Sequence, residues 1–332
     1  MIGGTILLYH RVIELPTDPQ LLCVSRANFA EHLRTLKRVA APMSLAVMLE
    51  LAAAGRLPER AVAITFDDGY WDNLRHALPL LRAANVPATI FATSGLTDTQ
   101  REFFWDDLER IFLRPNTLPQ KLIVAVGRER YAIDLQSTAT YSPDAFAQDC
   151  HWDVTMPTAP SPRQKVYREL CGLLHRATVA DRAAAMAALH DWSGLGSAGR
   201  ESHRMMTAPE LAEAEADPLL EFGGHTIAHP RLSNESPVAQ QLEIGSGRRG
   251  FSYPFGTRHD YTRETVDLLK TAGYAYACSN FNGQVTRETD PFQLPRFLVR
   301  NWDGLAFEQQ LEAFFAWQPR TGRIDNRSRE NA

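Results

Sequence analysis

The chain shows no basic excess, no Cys-x-x-Cys spacing and no apolar run long enough to cross a bilayer, and each absence excludes a class of function. With a formal net charge of −4 at pH 7 and no RNA- or DNA-binding motif, nucleic acid is not an expected partner. The four cysteines, Cys23, Cys150, Cys171 and Cys278, lie far apart, which argues against a zinc ribbon or redox pair and for reduced, mostly buried thiols. The early apolar run Ile6-Leu7-Leu8 is too short for a signal-peptide core and no later stretch would span a membrane. A cytoplasmic location is therefore expected, with only peripheral contact to any membrane-held substrate. Oligomeric state leaves no mark in the sequence. What is present is 332 residues, 44% of them apolar, enough for one large α/β barrel or two ordinary domains.

The chain organises itself around Ala61-Val62-Ala63-Ile64-Thr65-Phe66-Asp67-Asp68-Gly69, where a buried-strand pattern delivers two adjacent carboxylates into a glycine turn. Neighbouring aspartates are poor strand formers and repel when both are ionised. Two readings are open: a turn-forming strand end, or a carboxylate pair in which one binds a divalent cation and the other acts as a base.

Upstream, Thr5–Leu8 reads as a short strand ending at His10, an edge where barrel enzymes keep their chemistry. Ser25 caps an expected helix to about Arg38 with Phe29, Leu33 and Leu36 on one face, and Ser44 caps another ending near Gly55. Helix Asn73–Ala84 and strand Ala88–Ala92 complete a βαβ unit, implying parallel strands. Residues 100–204 lose that alternation and read as a mostly helical insertion, a packed cap in the simplest view. It holds an aromatic-acidic patch at Phe103–Asp107, a hairpin around Gly127 and helical runs over Arg168–Leu174 and Val179–Leu189. Phe103–Trp105 are expected in the core, with stacking on a sugar ring as the alternative.

Thr207 and Glu210 have capping-box spacing for a helix to Ala216. Strand Leu219–Phe222 then leads into Gly223-Gly224-His225-Thr226-Ile227-Ala228-His229. Two histidines four apart converge on one metal if the residues between them make a helical turn. Strand Arg249–Tyr253 is broken by Pro254-Phe255-Gly256, and helix Thr262–Ala272 stops at Gly273. Strands Tyr274–Cys278 and Leu294–Val299, a closing helix Leu305–Trp317 and a polar tail over 318–332 complete the chain.

Three expected strand ends thus carry Asp67-Asp68, His225 with His229, and Tyr253-Pro254-Phe255-Gly256. This set resembles the polysaccharide deacetylases of the NodB-homology class, the family four carbohydrate esterases, with motifs Thr-Phe-Asp-Asp-Gly, His-Ser/Thr-x-x-His and Pro-Phe/Tyr-Gly. The resemblance implies a deformed (β/α) barrel over residues 1–99 and 205–317. It also implies Asp68, His225 and His229 as ligands of a divalent metal, for which zinc suits best and cobalt, nickel or iron also serve. It implies Asp67 as the base and the Phe255 backbone N–H, within Tyr253–Gly256, as an oxyanion donor. Leu7-Leu8-Tyr9-His10-Arg11-Val12 further resembles the branch whose catalytic histidine comes from the N-terminal strand, which makes His10 the expected acid.

Two features depart from the family pattern. Its third motif usually starts with an Arg that orients the base; Ser252 stands there and is expected not to pair with Asp67, leaving Arg296 or no residue for that task. The segment 232–250 is short, with barely two helical turns over Pro237–Ile244. The implied activity is removal of an N-acetyl group from an amino sugar of a cell-envelope glycan or its precursor. The alternatives are a deformylase or amidase acting on a lipid-linked amino sugar or small amide, and a catalytically silent carbohydrate-binding protein.

Overall fold

The computed structural model describes residues 3–318; the expected tail from Pro319 onward lies outside them. Strands β1 (Thr5–Tyr9) and β2 (Ala61–Phe66) are buried along their whole length, as strands covered on both faces must be. With β3 (Ala88–Ala92), β4 (Leu220–Gly224), β5 (Gly250–Ser252), β6 (Tyr276–Cys278) and β7 (Phe297–Leu298) they form a parallel sheet in the order β6-β5-β4-β3-β2-β1-β7. Ala41–Pro42 adds a short strand beside β2.

The barrel closes through a thin seam. Leu294 bridges Cys278 in parallel, and three residues later β7 pairs Phe297 with Leu7. One segment therefore bonds β6 at its start and β1 at its end, which is why only two residues of the expected strand Leu294–Val299 are regular.

Register decides where the chemistry lies. Tyr9 pairs with Phe66, Leu220–Gly224 run beside Ala88–Ala92, Gly224 pairs with Phe251, and Ser252 with Cys278. The residues just beyond these ends, His10, Asp67, Asp68, His225 and Tyr253, emerge together at the carboxyl edge, where parallel barrels gather their loops.

Helix α1 (Arg26–Val39) begins at Ser25, whose Oγ accepts the Asn28 N–H, and buries Phe29, Leu33 and Leu36. Helix α2 (Leu45–Ala53) buries Leu45, Met48 and Ala52. The helix expected over Asn73–Ala84 divides: a π-helical turn at Asn73–Ala77 precedes α3 (Leu78–Ala84). Pro79 in the first turn of α3 has no N–H to continue the ladder, so the preceding turn widens.

The segment 100–204 builds its own core. Helices α4 (Phe104–Phe112), α5 (Pro143–Asp149), α6 (Pro162–Arg176) and α7 (Val179–Ser193) pack with a hairpin, Lys121–Val126 against Glu129–Asp134. Phe112, Leu122, Val124, Val166, Leu170 and Leu189 fill it, and Tyr70 and Met205 join from the barrel side. Helix α8 (Ala208–Glu215) has the capping box read from Thr207 and Glu210, and α9 (Pro237–Ile244) is as short as expected. Helix α10 (Arg263–Thr271) follows the Thr262 cap, and α11 (Gly304–Phe315) closes the chain against α1. All four cysteines are free, Cys23 and Cys278 buried, Cys150 and Cys171 half-buried. Among the described residues no helix is long and apolar enough to cross a membrane.

Candidate metal centre

At the end of β2 the chain turns sharply: Asp68 has φ +75° and Gly69 φ +83°. A side chain on Gly69 would place its Cβ 2.9 Å from that of Ala92, so only glycine lets β2 and β3 approach here. The turn leaves both carboxylates buried, Asp67 and Asp68 being 4% and 2% exposed, but in unlike surroundings.

Asp67 is locked by Arg296. The guanidinium donates from Nη1 to Oδ1 at 2.8 Å and from Nη2 to Oδ2 at 2.7 Å, while its Nε bonds the Ser279 carbonyl at 2.8 Å. Burial by itself would raise the Asp67 pKa, but Arg296, aided by His225, outweighs it and holds the carboxyl at about 2. The seam segment delivers the Arg296 guanidinium to Asp67. The expectation for Ser252 fails, because its Oγ donates to Asp67 Oδ2 at 3.0 Å and accepts from Arg296 Nη2 at 2.9 Å. A short hydroxyl reaches the carboxylate because β5 ends at the level of β2 in the register; a serine gives no hint of that in sequence.

Asp68 faces the two histidines. His225 Nε2 lies 3.5 Å and His229 Nε2 3.4 Å from Asp68 Oδ1, long for hydrogen bonds. One ligating atom from each residue lies within 4.8 Å of the others, and all three residues are buried. The histidines converge without the helical turn that was the condition for it: Thr226 and His229 take φ +65° and +53°, and an irregular loop brings the rings to 4.8 Å between centroids. His225 Nδ1 meets the Ser252 carbonyl at 2.7 Å, which leaves Nε2 for a ligand, the usual support of a metal-binding histidine. Burial opposes charge on His225, yet Asp67 and Asp68 raise its pKa; on His229, burial together with His225 and Arg182 lowers it strongly. Among the described residues the buried His229 Nδ1 has no hydrogen-bond partner. A mixed set of one carboxylate and two imidazoles around a shared gap fits a divalent cation with open coordination positions.

His10 stands at the end of β1, half-buried, its carbonyl accepting Asn73 Nδ2 at 2.8 Å. Burial lowers its pKa, against an opposite pull from Asp68 and Asp67. At the third motif Phe255 has φ +61° and Gly256 φ +70°, and a Cβ on Gly256 would lie 2.8 Å from the Asn280 nitrogen. The Tyr253 N–H is used by the Cys278 carbonyl and that of Gly256 by Pro254. Among the described residues the Phe255 N–H bonds no protein acceptor.

The segment 100–204 supplies walls that the motifs do not announce. Phe103 and Trp105 stack at 4.4 Å and meet the His229 ring edge-on at 5.4 and 5.1 Å. Both are buried, so the aromatic patch is core packed against a candidate ligand. Trp105 Nε1 donates to the Tyr70 hydroxyl, which donates to Asp106 Oδ2 at 2.7 Å. Burial, with Glu102 adding to it against Arg11 and Arg200, raises Asp106 to about 8.

The Asp106 shift has a consequence for stability. The folded state binds a proton at Asp106 that the unfolded chain releases above about pH 4. Stability from this group is present below pH 4 and declines as pH rises toward 8. Asp106→Asn is expected to flatten that decline in thermal melts recorded from pH 5 to 8; an unchanged slope would place the titration elsewhere.

The polysaccharide deacetylase family model matches residues 54–119, the stretch that carries Asp67 and Asp68. Among curated proteins this chain is similar to the poly-beta-1,6-N-acetyl-D-glucosamine N-deacetylase of Escherichia coli strain K12, 30% identical over 99 residues. That match covers 29% of this chain and 15% of the relative's length. Among solved structures it is similar in fold to the Streptococcus pyogenes deacetylase PplD in complex with acetate, at 15% identity and a TM-score of 0.51, covering 93% of this chain and 98% of that one.

Proposed function

We propose that the protein is a metal-dependent hydrolase that removes an N-acetyl group from an amino sugar, with a cell-envelope glycan or its precursor as the substrate class. One observation carries the reading: three convergent ligands, Asp68, His225 and His229, stand beside a carboxylate, Asp67, that Arg296 keeps ionised. A divalent cation held by those three residues, zinc by preference, would supply Lewis acidity to the acyl carbonyl and acidify the attacking water.

The chain's own groups perform the remaining steps. Asp67 accepts the proton of the attacking water, held in orientation by Arg296 and Ser252. The Phe255 N–H donates to the oxyanion that forms on the acyl carbonyl. His10 gives a proton to the amine nitrogen as the C–N bond breaks, and its lowered pKa makes the protonated ring a stronger acid. Water thus adds to the acyl carbon, and acetate and a free amino sugar leave. Arg296 in the orienting place supports catalysis over silent sugar binding, since a binding protein needs no buried clamp on a free carboxylate.

Acetate release from N-acetylated oligosaccharides, measured after chelation and again after zinc or cobalt is restored, is the direct test. Loss of turnover on chelation and its recovery with metal are expected. No turnover of any N-acetylated sugar by the loaded protein would sink the reading, and formate in place of acetate would redirect it to deformylation.

A further inference from the structure

The geometry points to Arg182, on a helix of the 100–204 segment, as a positioning residue that holds the His225–His229 loop in its metal-binding shape. The inference rests on the metal reading given above.

Arg182 lies on α7 and is 7% exposed. Its Nη1 donates to the His229 carbonyl at 3.0 Å and its Nη2 to the Ala228 carbonyl. The guanidinium sits over the Phe104 ring, 5.2 Å from its centroid, so both its plane and its reach are set by the 100–204 segment. From the other side Glu243 on α9 accepts the Ile227 and Ala228 N–H groups at 2.9 and 2.8 Å. The loop is thus gripped at its carbonyls by one segment and at its amides by another.

The grip has a reason in the backbone. Thr226 and His229 both take positive φ, and for the β-branched Thr226 that is a genuine outlier. Such strain persists where surrounding contacts over-determine it. The Thr226 hydroxyl accepts the His229 N–H at 3.0 Å, a bond within the loop that cannot by itself fix where the loop sits. Arg182 can, because its two donors come from a helix with a separate core. Among the described residues Arg182 makes no ion pair within 4.0 Å, so the two carbonyls are its direct partners.

Electrostatics predicts the opposite sign from positioning, which makes the inference testable. A positive charge beside the ligand loop repels a cation, so its removal should tighten binding by Coulomb's law. Removal of a supporting contact should weaken binding, commonly by 10–100-fold for groups that orient metal ligands.

Cobalt(II) titration of the full chain, followed by its visible spectrum, separates the two. Arg182→Met is expected to weaken cobalt binding by about tenfold or more and to change the d–d bands, as a displaced His229 would require. Arg182→Lys, which keeps the charge but loses the fork, should fall between the two and serves if the methionine variant does not fold. Arg163→Met is the control: Arg163 bonds the Phe112 and Ala139 carbonyls within the 100–204 segment. It should lower thermal stability while the folded protein keeps wild-type cobalt affinity and spectrum. Unchanged or tighter binding with an unchanged spectrum in both Arg182 variants would overturn the inference alone. Failure of the wild-type chain to bind cobalt would overturn the metal reading and this inference with it.

Discussion

Asp67→Asn is expected to lower acetate release by about 10²–10⁴-fold, the usual contribution of a positioned general base, while the protein still binds its metal. The residue is isosteric and Asp68, His225 and His229 are untouched, so the proposed ligand set survives. What is lost is the negative charge that Arg296 neutralises at 2.7 and 2.8 Å. Both groups are buried, at 5% and 1% side-chain exposure, and breaking a buried pair from one side costs about 3–5 kcal/mol. The variant should therefore melt lower as well as turn over slowly.

The same pair sets an acid limit. The Asp67 pKa is held near 2 in the folded protein and lies near 4 in an unfolded chain. Its stabilisation is complete above about pH 4 and is lost as pH falls through 2. Metal content and turnover of the variant, measured side by side at neutral pH, check the assignment; a rate within tenfold of wild type would remove Asp67 from proton transfer.

The second large effect is expected at His10. His10→Gln keeps the carbonyl that accepts Asn73 Nδ2 and removes the titrating ring, so folding should be preserved and turnover should fall by about 10²–10⁴-fold. A substrate with a better leaving group, such as an N-acetylated aromatic amine, needs less protonation and should lose less. That difference separates an acid from a residue that merely fills the edge of the barrel. Equal losses on both substrates, or none, would end the acid role and with it the resemblance to enzymes that draw this histidine from the first strand.

Much of this was legible along the chain because the informative patterns are local. The strand into Asp67-Asp68-Gly69, the serine and threonine caps, and the spacing of His225 and His229 depend on neighbours within a few residues. The limits appear where a contact joins distant segments. Ser252 was expected to stand apart from Asp67, and only the pairing of β5 with its neighbours brings its hydroxyl to 3.0 Å. A helical turn was the route by which His225 and His229 could converge; two residues at positive φ make an irregular loop instead, and nothing in Thr226-Ile227-Ala228 announces a conformation imposed from outside. Arg182 gave no signal, because an arginine on an amphipathic helix looks the same whether it meets water or a buried carbonyl.

The sequence by itself determined that an α/β chain presents adjacent carboxylates, a histidine pair and a Pro-Phe-Gly turn at strand ends, since hydrophobic period and turn chemistry are written residue by residue. Tertiary structure alone decided which carboxylate is clamped, that the clamp comes from the seam strand, and that the 100–204 segment bonds the carbonyls of the His225–His229 loop. The physical reason is that burial and hydrogen-bond geometry are properties of the space between segments: the same arginine is a solvated charge in one fold and a fixed counterion in another, and only the closed sheet chooses.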